Sequence, residues 1–250
     1  MIDLRIHGPV HELRLDRPPV NALDPSLLQA VAEGVRLAPE QGARALVLSG
    51  REGMFSAGLD VPTLLGLDRD GLASAWELFF EVMEVIATST LPVAAAITGH
   101  APAAGAILAL FCDWRVMEDG PFGIGLNEVR IGIPMPDVVA ALAARTVGPR
   151  RAEALCVSGR LLEPREALAA GLVDRVVEQG QAVNSAVEWC TSTIEVPPRA
   201  LAETRKTLRR DLVELLRRHR TDDTHRLVEE WFRPELQAAL KAMVARLKGN

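Results

Sequence analysis

The chain has 250 residues, is 48% apolar and carries a formal net charge of −5 with a pI near 5.6. This suits one large domain with a sizeable core, or a domain with a helical appendage, and excludes wholesale disorder. The acidic balance argues against a nucleic-acid binder.

Residues 2–6 and 10–15 alternate apolar and polar about Gly8-Pro9, the pattern of a β-hairpin. Residues 17–23, with Pro18-Pro19, read as a stiff loop. Asp24-Pro25 then supplies an N-cap and a first-turn proline, and predicts a helix to about Leu37. Residues 45–48 form an apolar run, read as a buried strand, which empties into Met54-Phe55-Ser56-Ala57-Gly58-Leu59-Asp60. Asp70 is expected to cap a long amphipathic helix with Trp76, Phe79, Phe80, Met83 and Ile86 on its apolar side. A second buried strand covers residues 91–97. A run of small residues, 99–106, then leads into a helix over 107–111. A strand over 114–117, a Gly-rich stretch to Gly125 and Leu126-Asn127-Glu128-Val129-Arg130 follow. Helices are expected from Pro136, Pro149, Pro164 and Gln181, with a strand over 172–177 between the last two. Beyond Val196-Pro197-Pro198 the pattern is helical. The recurrence of strand, turn, helix and strand predicts an α/β fold of repeated strand-pair and helix units.

Cys112, Cys156 and Cys190 are far apart and unpaired in spacing, which points to a reducing, cytoplasmic setting without disulfides. No histidine pair has metal-ligand context. A strand that begins at Ile2 is expected to leave no targeting peptide, residues 247–250 are not a peroxisomal address, and no apolar run is long enough to span a membrane.

The turn at residues 54–60 leaves backbone N–H groups uncovered by bulky side chains, as an oxyanion site requires. Ala103-Ala104-Gly105-Ala106 at a helix start offers a second such donor. Small residues there suit close helix packing equally well. Ser56 lacks the first glycine of a nucleophile elbow. Asp60 reads as a turn stabiliser, and Trp76, Phe79 and Phe80 as core or as the wall of an acyl site. Asp137 could be a helix cap or a second acid, and His100 a loop residue or a contact to a thioester.

Three segments, residues 55–60, 99–113 and 125–128, resemble in order the signature segments of the crotonase (enoyl-CoA hydratase/isomerase) superfamily. Pro19-Val20-Asn21-Ala22-Leu23 and residues 167–173 fit the same family. The resemblance implies a spiral of ββα units over residues 1–195 and a helical region over 196–250 used for assembly as a trimer or dimer of trimers. It implies an acyl-CoA thioester as substrate and no cofactor, coenzyme A being part of that substrate. It carries the two oxyanion amides onto Ala57 and Ala104, the latter where the family usually has glycine. It also implies substrate or CoA contacts at Ala22, Leu23, Ser56, Gly58, Leu59, Asp60 and Val61.

Within the superfamily the likeness is strongest to the Δ3,Δ2-enoyl-CoA isomerases. Hydratases use two glutamates, which suits water addition. This chain has Ile107 at the first position and Glu128 at the second, and moving a double bond needs one base. Glu128 is therefore expected to shuttle a proton, with a pKa raised by burial. The alternatives are a hydratase or other lyase using Glu128 with Asp137, or a non-catalytic acyl-CoA-binding protein on the same fold. The arginine-rich stretch over 205–220 reads as a solvated helix face, or as a shield for CoA phosphates contributed across a subunit contact.

Overall fold

A computed structural model describes residues 1–248, with side chains over 1–246; Gly249 and Asn250, part of the stretch read as lacking a peroxisomal address, lie outside the described residues. The hairpin forms as expected from β1 (Ile2–His7) and β2 (Val10–Leu15). The Asp24 carboxylate accepts the Leu27 N–H at 2.8 Å and so caps α1 (Pro25–Leu37).

Three turns of one pattern follow. β3 (Ala45–Ser49) leads through β4 (Gly53–Met54) and the short α2 (Val61–Leu64) to α3 (Arg69–Thr88). β5 (Val93–Ile97) leads through β6 (Gly99–Pro102) to α4 (Ala104–Phe111). β7 (Trp114–Glu118) leads through β8 (Ile124–Gly125) and a 3-10 turn (Glu128–Ile131) to α5 (Asp137–Val147). After α6 (Pro149–Ser158) and α7 (Pro164–Ala170), β9 (Arg175–Val177) completes a six-stranded sheet ordered β1-β2-β3-β5-β7-β9, parallel from β2 onward. The second strand of each unit enters a separate three-stranded parallel sheet, β4-β6-β8. This is the expected ββα spiral.

The main sheet is covered on both faces, which is why β3 and β5 read as unbroken apolar runs. Val47, Ala94, Ala96 and Val116 lie under α8 (Ala182–Thr193), whereas Leu46, Leu48, Ala95 and Ile97 face the principal core with α1 and α3. Expected boundaries shift: the strand expected over 172–177 covers only 175–177, and that expected over 91–97 begins at Val93. Asp68, not Asp70, caps α3, its carboxylate accepting the Gly71 N–H at 2.8 Å. The small-residue run is divided, with residues 99–102 paired as a strand and the helix opening at Ala104.

The C-terminal helices α9 (Pro198–Leu208), α10 (Arg210–Trp231) and α11 (Pro234–Lys248) fold back on their own chain. Leu212, Leu216, Leu227, Val228 and Trp231 join the principal core, with α10 lying on α3 and α5. Arg205 is buried, against the expectation of a solvated face. Its Nε donates to the Asp113 carboxylate at 2.7 Å, and its terminal nitrogens donate to the carbonyls of Ile86, Ala87 and Ser89 at the end of α3. A cation thus satisfies the orphan carbonyls of a helix C-terminus. Arg209 shares Asp113, Arg217 pairs with Glu84, and Arg220 with Glu77. Those four arginines are occupied within the chain.

Candidate active site

The turn after β4 spends nearly all its amides on its own construction. The Ser56 N–H donates to the His100 carbonyl, and the Ala57 N–H to the Val20 carbonyl at 3.0 Å. The Ser56 hydroxyl donates to the Asn21 carbonyl and accepts the Gly58 N–H. Leu23 and Leu59 form a parallel bridge in which the Leu23 N–H donates to Gly58 O and the Asp60 N–H to Leu23 O. That pairing turns the Leu59 N–H away from Leu23, and it has no acceptor among the described residues. Ala57 is therefore not the free donor the sequence suggested. Its amide is held by the 17–23 loop, and the adjacent unspent amide is that of Leu59.

The start of α4 also carries an unspent amide, that of Ala104. Ala103 has a positive φ (+49°), a conformation that costs a non-glycine residue energy and marks a constrained site. Its N–H donates to Gly125 O at 2.8 Å, and its carbonyl accepts from Ile107 within α4. Between them the Ala104 N–H has no acceptor among the described residues. Ala104 is buried, at 2% exposure. The two turns touch: a Cβ on Gly58 would lie 3.4 Å from the Ala104 nitrogen, and one on Gly105 would lie 2.4 Å from the Ser56 carbonyl oxygen.

Both turns line a cavity of about 580 Å³. One part of its wall is polar: the Arg17 guanidinium pairs with Asp60 at 2.6 Å and Asp24 at 3.0 Å. Asp60 is also the cap of α2, accepting the Thr63 N–H, so it is a turn stabiliser as the sequence suggested. Elsewhere the wall is apolar, with Ile107, Trp76, Phe79, Ile133, Trp231 and Met243. Glu128 stands in this wall at the start of the 3-10 turn, 6% exposed. Neither carboxylate oxygen has a hydrogen-bond partner. Loss of hydration pushes its pKa up from 4.5 to about 7. A carboxylate in that condition is a base suited to abstracting a proton from carbon near neutral pH.

Compared with known proteins, residues 5–248 match the family model described as enoyl-CoA hydratase/isomerase. The chain belongs to the enoyl-CoA hydratase/isomerase family. It is 32% identical over 239 residues to the human mitochondrial enoyl-CoA delta isomerase 1, covering 94% of this chain and 79% of that one. It is 39% identical over 195 residues to a probable enoyl-CoA hydratase of Mycobacterium tuberculosis, covering 76% and 73%. The crystal structure of the human mitochondrial delta3-delta2-enoyl-CoA isomerase superposes with a TM-score of 0.95 at 30% identity, covering 99% of this chain and 98% of that one. The protein is thus an enzyme of this crotonase-type family. Among the described residues no helix is long and apolar enough to cross a membrane.

Of the residues expected to contact substrate, Ala22, Leu59, Asp60 and Val61 line the cavity, as does Ala57. Leu23, Ser56 and Gly58 do not. They lie buried behind the wall, where they shape the turn. Asp137 is not a second acid: its carboxylate is turned away from the cavity, more than half exposed, towards His219 at 3.4 Å and Arg226 at 3.7 Å. Nor is it the cap, because Pro136 holds that position and Asp223 of α10 accepts the Asp137 N–H. His100 accepts the Gly123 N–H through Nδ1 and packs on Phe122, outside the cavity. Trp76 and Phe79 serve both readings, packing in the core while lining the cavity.

Sequence reasoning missed Arg17, Asn127, Trp231 and Met243 as lining residues. Asn127 adjoins the base and could have been suspected. Trp231 and Met243 reach the cavity only through the return of α10 and α11, which no local pattern announces.

Proposed function

We propose that the protein moves the double bond of a 3-enoyl-CoA thioester to the 2-position. The carrying observation is that Glu128 is the one acid lining the cavity without a counter-ion among the described residues, with Ile107 where a hydratase would place a second carboxylate. The likeness to the human delta isomerase supports this reading.

In the proposed reaction the thioester carbonyl oxygen accepts hydrogen bonds from the amides of Leu59 and Ala104. Glu128 takes a proton from C2, and the electron pair moves into a dienolate whose charge resides on that oxygen. The double bond re-forms between C2 and C3 as C4 receives the proton from Glu128. Nothing is oxidised or reduced, so the step balances without a cofactor. The two amides meet more charge in the dienolate than in the substrate, and each donor is worth about 3 kcal/mol of barrier in comparable sites. A trimer or dimer of trimers is part of this reading. Exposed Val129, Val157, Leu161 and Leu168 near the site-bearing 3-10 turn, α6 and α7 support association between copies.

The test is to supply 3-hexenoyl-CoA and crotonyl-CoA separately. Isomerase activity produces 2-enoyl absorbance from the first and leaves the second unchanged. Rapid loss of crotonyl-CoA absorbance would establish a hydratase instead.

A further inference from the structure

β1 is an edge of the six-stranded sheet, and among the described residues no strand pairs with its outer side. The hairpin register fixes which backbone groups that side presents. The Asp16 N–H donates to Met1 O, so the odd-numbered residues of β1 exchange hydrogen bonds with β2. The N–H and C=O groups of Ile2, Leu4 and Ile6 therefore point outward. Their side chains share one face of the strand, where Leu4 is 44% and Ile6 66% exposed. Asp3 and Arg5 lie on the other face and pair with each other at 2.9 Å, a solvent-exposed contact of little worth. An exposed apolar edge is a template for another strand, and sheets ordinarily blunt it.

The segment Ile2-Asp3-Leu4-Arg5-Ile6 has the same apolar pattern in both directions, with its two charges exchanged. Consider β1 of one copy laid antiparallel to β1 of another, centred on Leu4. Ile2 of each copy then faces Ile6 of the other, Leu4 faces Leu4, and Asp3 faces Arg5 twice. The outward N–H and C=O groups of Ile2, Leu4 and Ile6 all find partners. The apolar side chains join into one stripe, and both opposite-charge pairs stand directly across the strands. Moving the centre to Asp3 or to Arg5 keeps the hydrogen-bond alternation but sets like charges opposite each other, which is destabilising. We propose that β1 is a docking edge for a second copy of this chain, joined about a two-fold axis into one continuous sheet. A two-fold contact uses the same patch on both copies, so it requires the self-complementary charges that this strand has. None of these residues lines the catalytic cavity.

The experiment is sedimentation of the full chain over a concentration series. Asp3→Arg and Arg5→Asp each set like charges across the edge, and Leu4→Lys sets two cations on the two-fold axis. Each variant alone is expected to show about half the wild-type mass, whatever stoichiometry other contacts impose. An equimolar mixture of the Asp3→Arg and Arg5→Asp proteins brings opposite charges together again at both positions. That mixture is expected to regain the wild-type mass, as is the Asp3→Arg/Arg5→Asp double variant. Recovery on mixing is a readout that damage to either variant's fold cannot produce, and far-UV circular dichroism identifies the folded proteins. A wild-type mass left unchanged by Asp3→Arg and Leu4→Lys would overturn the proposal. So would a mixture of folded single variants that stays at the lower mass.

Discussion

A side chain on Gly58 would place its Cβ 3.4 Å from the Ala104 nitrogen, so the turn after β4 and the start of α4 meet at backbone-to-backbone distance. Gly58 also has φ +88°, which L-residues rarely adopt. Gly58→Ala should therefore strain the turn and displace the Leu59 amide from its neighbour. The expected result is a loss of about 10²-fold in kcat, the cost of one oxyanion donor, with about 1 kcal/mol lost in stability. Steady-state kinetics and thermal melts check the two parts.

The pKa of Glu128 near 7 fixes a pH dependence. As a base it must be ionised, so kcat/KM should rise with pH through about 7 and level off above it. Stability runs the other way. The group is protonated in both folded and unfolded states below 4.5, and as pH rises from there through 7 only the unfolded state gains by ionising freely. That costs the fold about 3 kcal/mol by the upper end of the range. Glu128→Gln should flatten this decline, which denaturant melts at pH 5 and pH 8 measure. An equal pH dependence in both proteins would contradict the assignment.

Ile107 lines the cavity with Glu128 and is nearly fully buried. Ile107→Glu should supply the second carboxylate that water addition needs, so a slow hydration of crotonyl-CoA should appear. Like charge should also move the midpoint of the pH profile upward. A profile and product spectrum identical to those of the wild-type protein would show that this position does not face the reacting carbons.

Arg205 joins Asp113 to the C-terminal carbonyls of α3 from within the core. Arg205→Ala leaves Asp113 with Arg209 and the Val93 N–H and removes the donors to the α3 carbonyls, and should cost about 3–5 kcal/mol. Equilibrium unfolding in urea checks this value. A loss below 1 kcal/mol would mean that this buried pair contributes little to holding the C-terminal helices in place.

Much of this architecture was legible because local chemistry agreed with the global fold. Asp24-Pro25, the apolar runs of β3 and β5, and the ordered signature segments each named their structure. The wrong donor, Ala57, arose because amide direction is set by a pairing with Val20 and Leu23 that a linear motif does not display. Asp137 looked available for chemistry because its neighbours in sequence line the cavity, but His219, Arg226 and Asp223 draw that helix start towards α10. Trp231 was invisible for the same reason: its place depends on how α10 crosses α3.

The most direct test is the turnover of 3-hexenoyl-CoA by Glu128→Gln, a change that keeps shape and removes the base. The account predicts a fall in kcat of about 10³-fold or more, the scale of a lost general base, with the thioester still bound. Turnover within a few-fold of the wild-type protein would contradict it, because no other acid lining the cavity is without a counter-ion among the described residues.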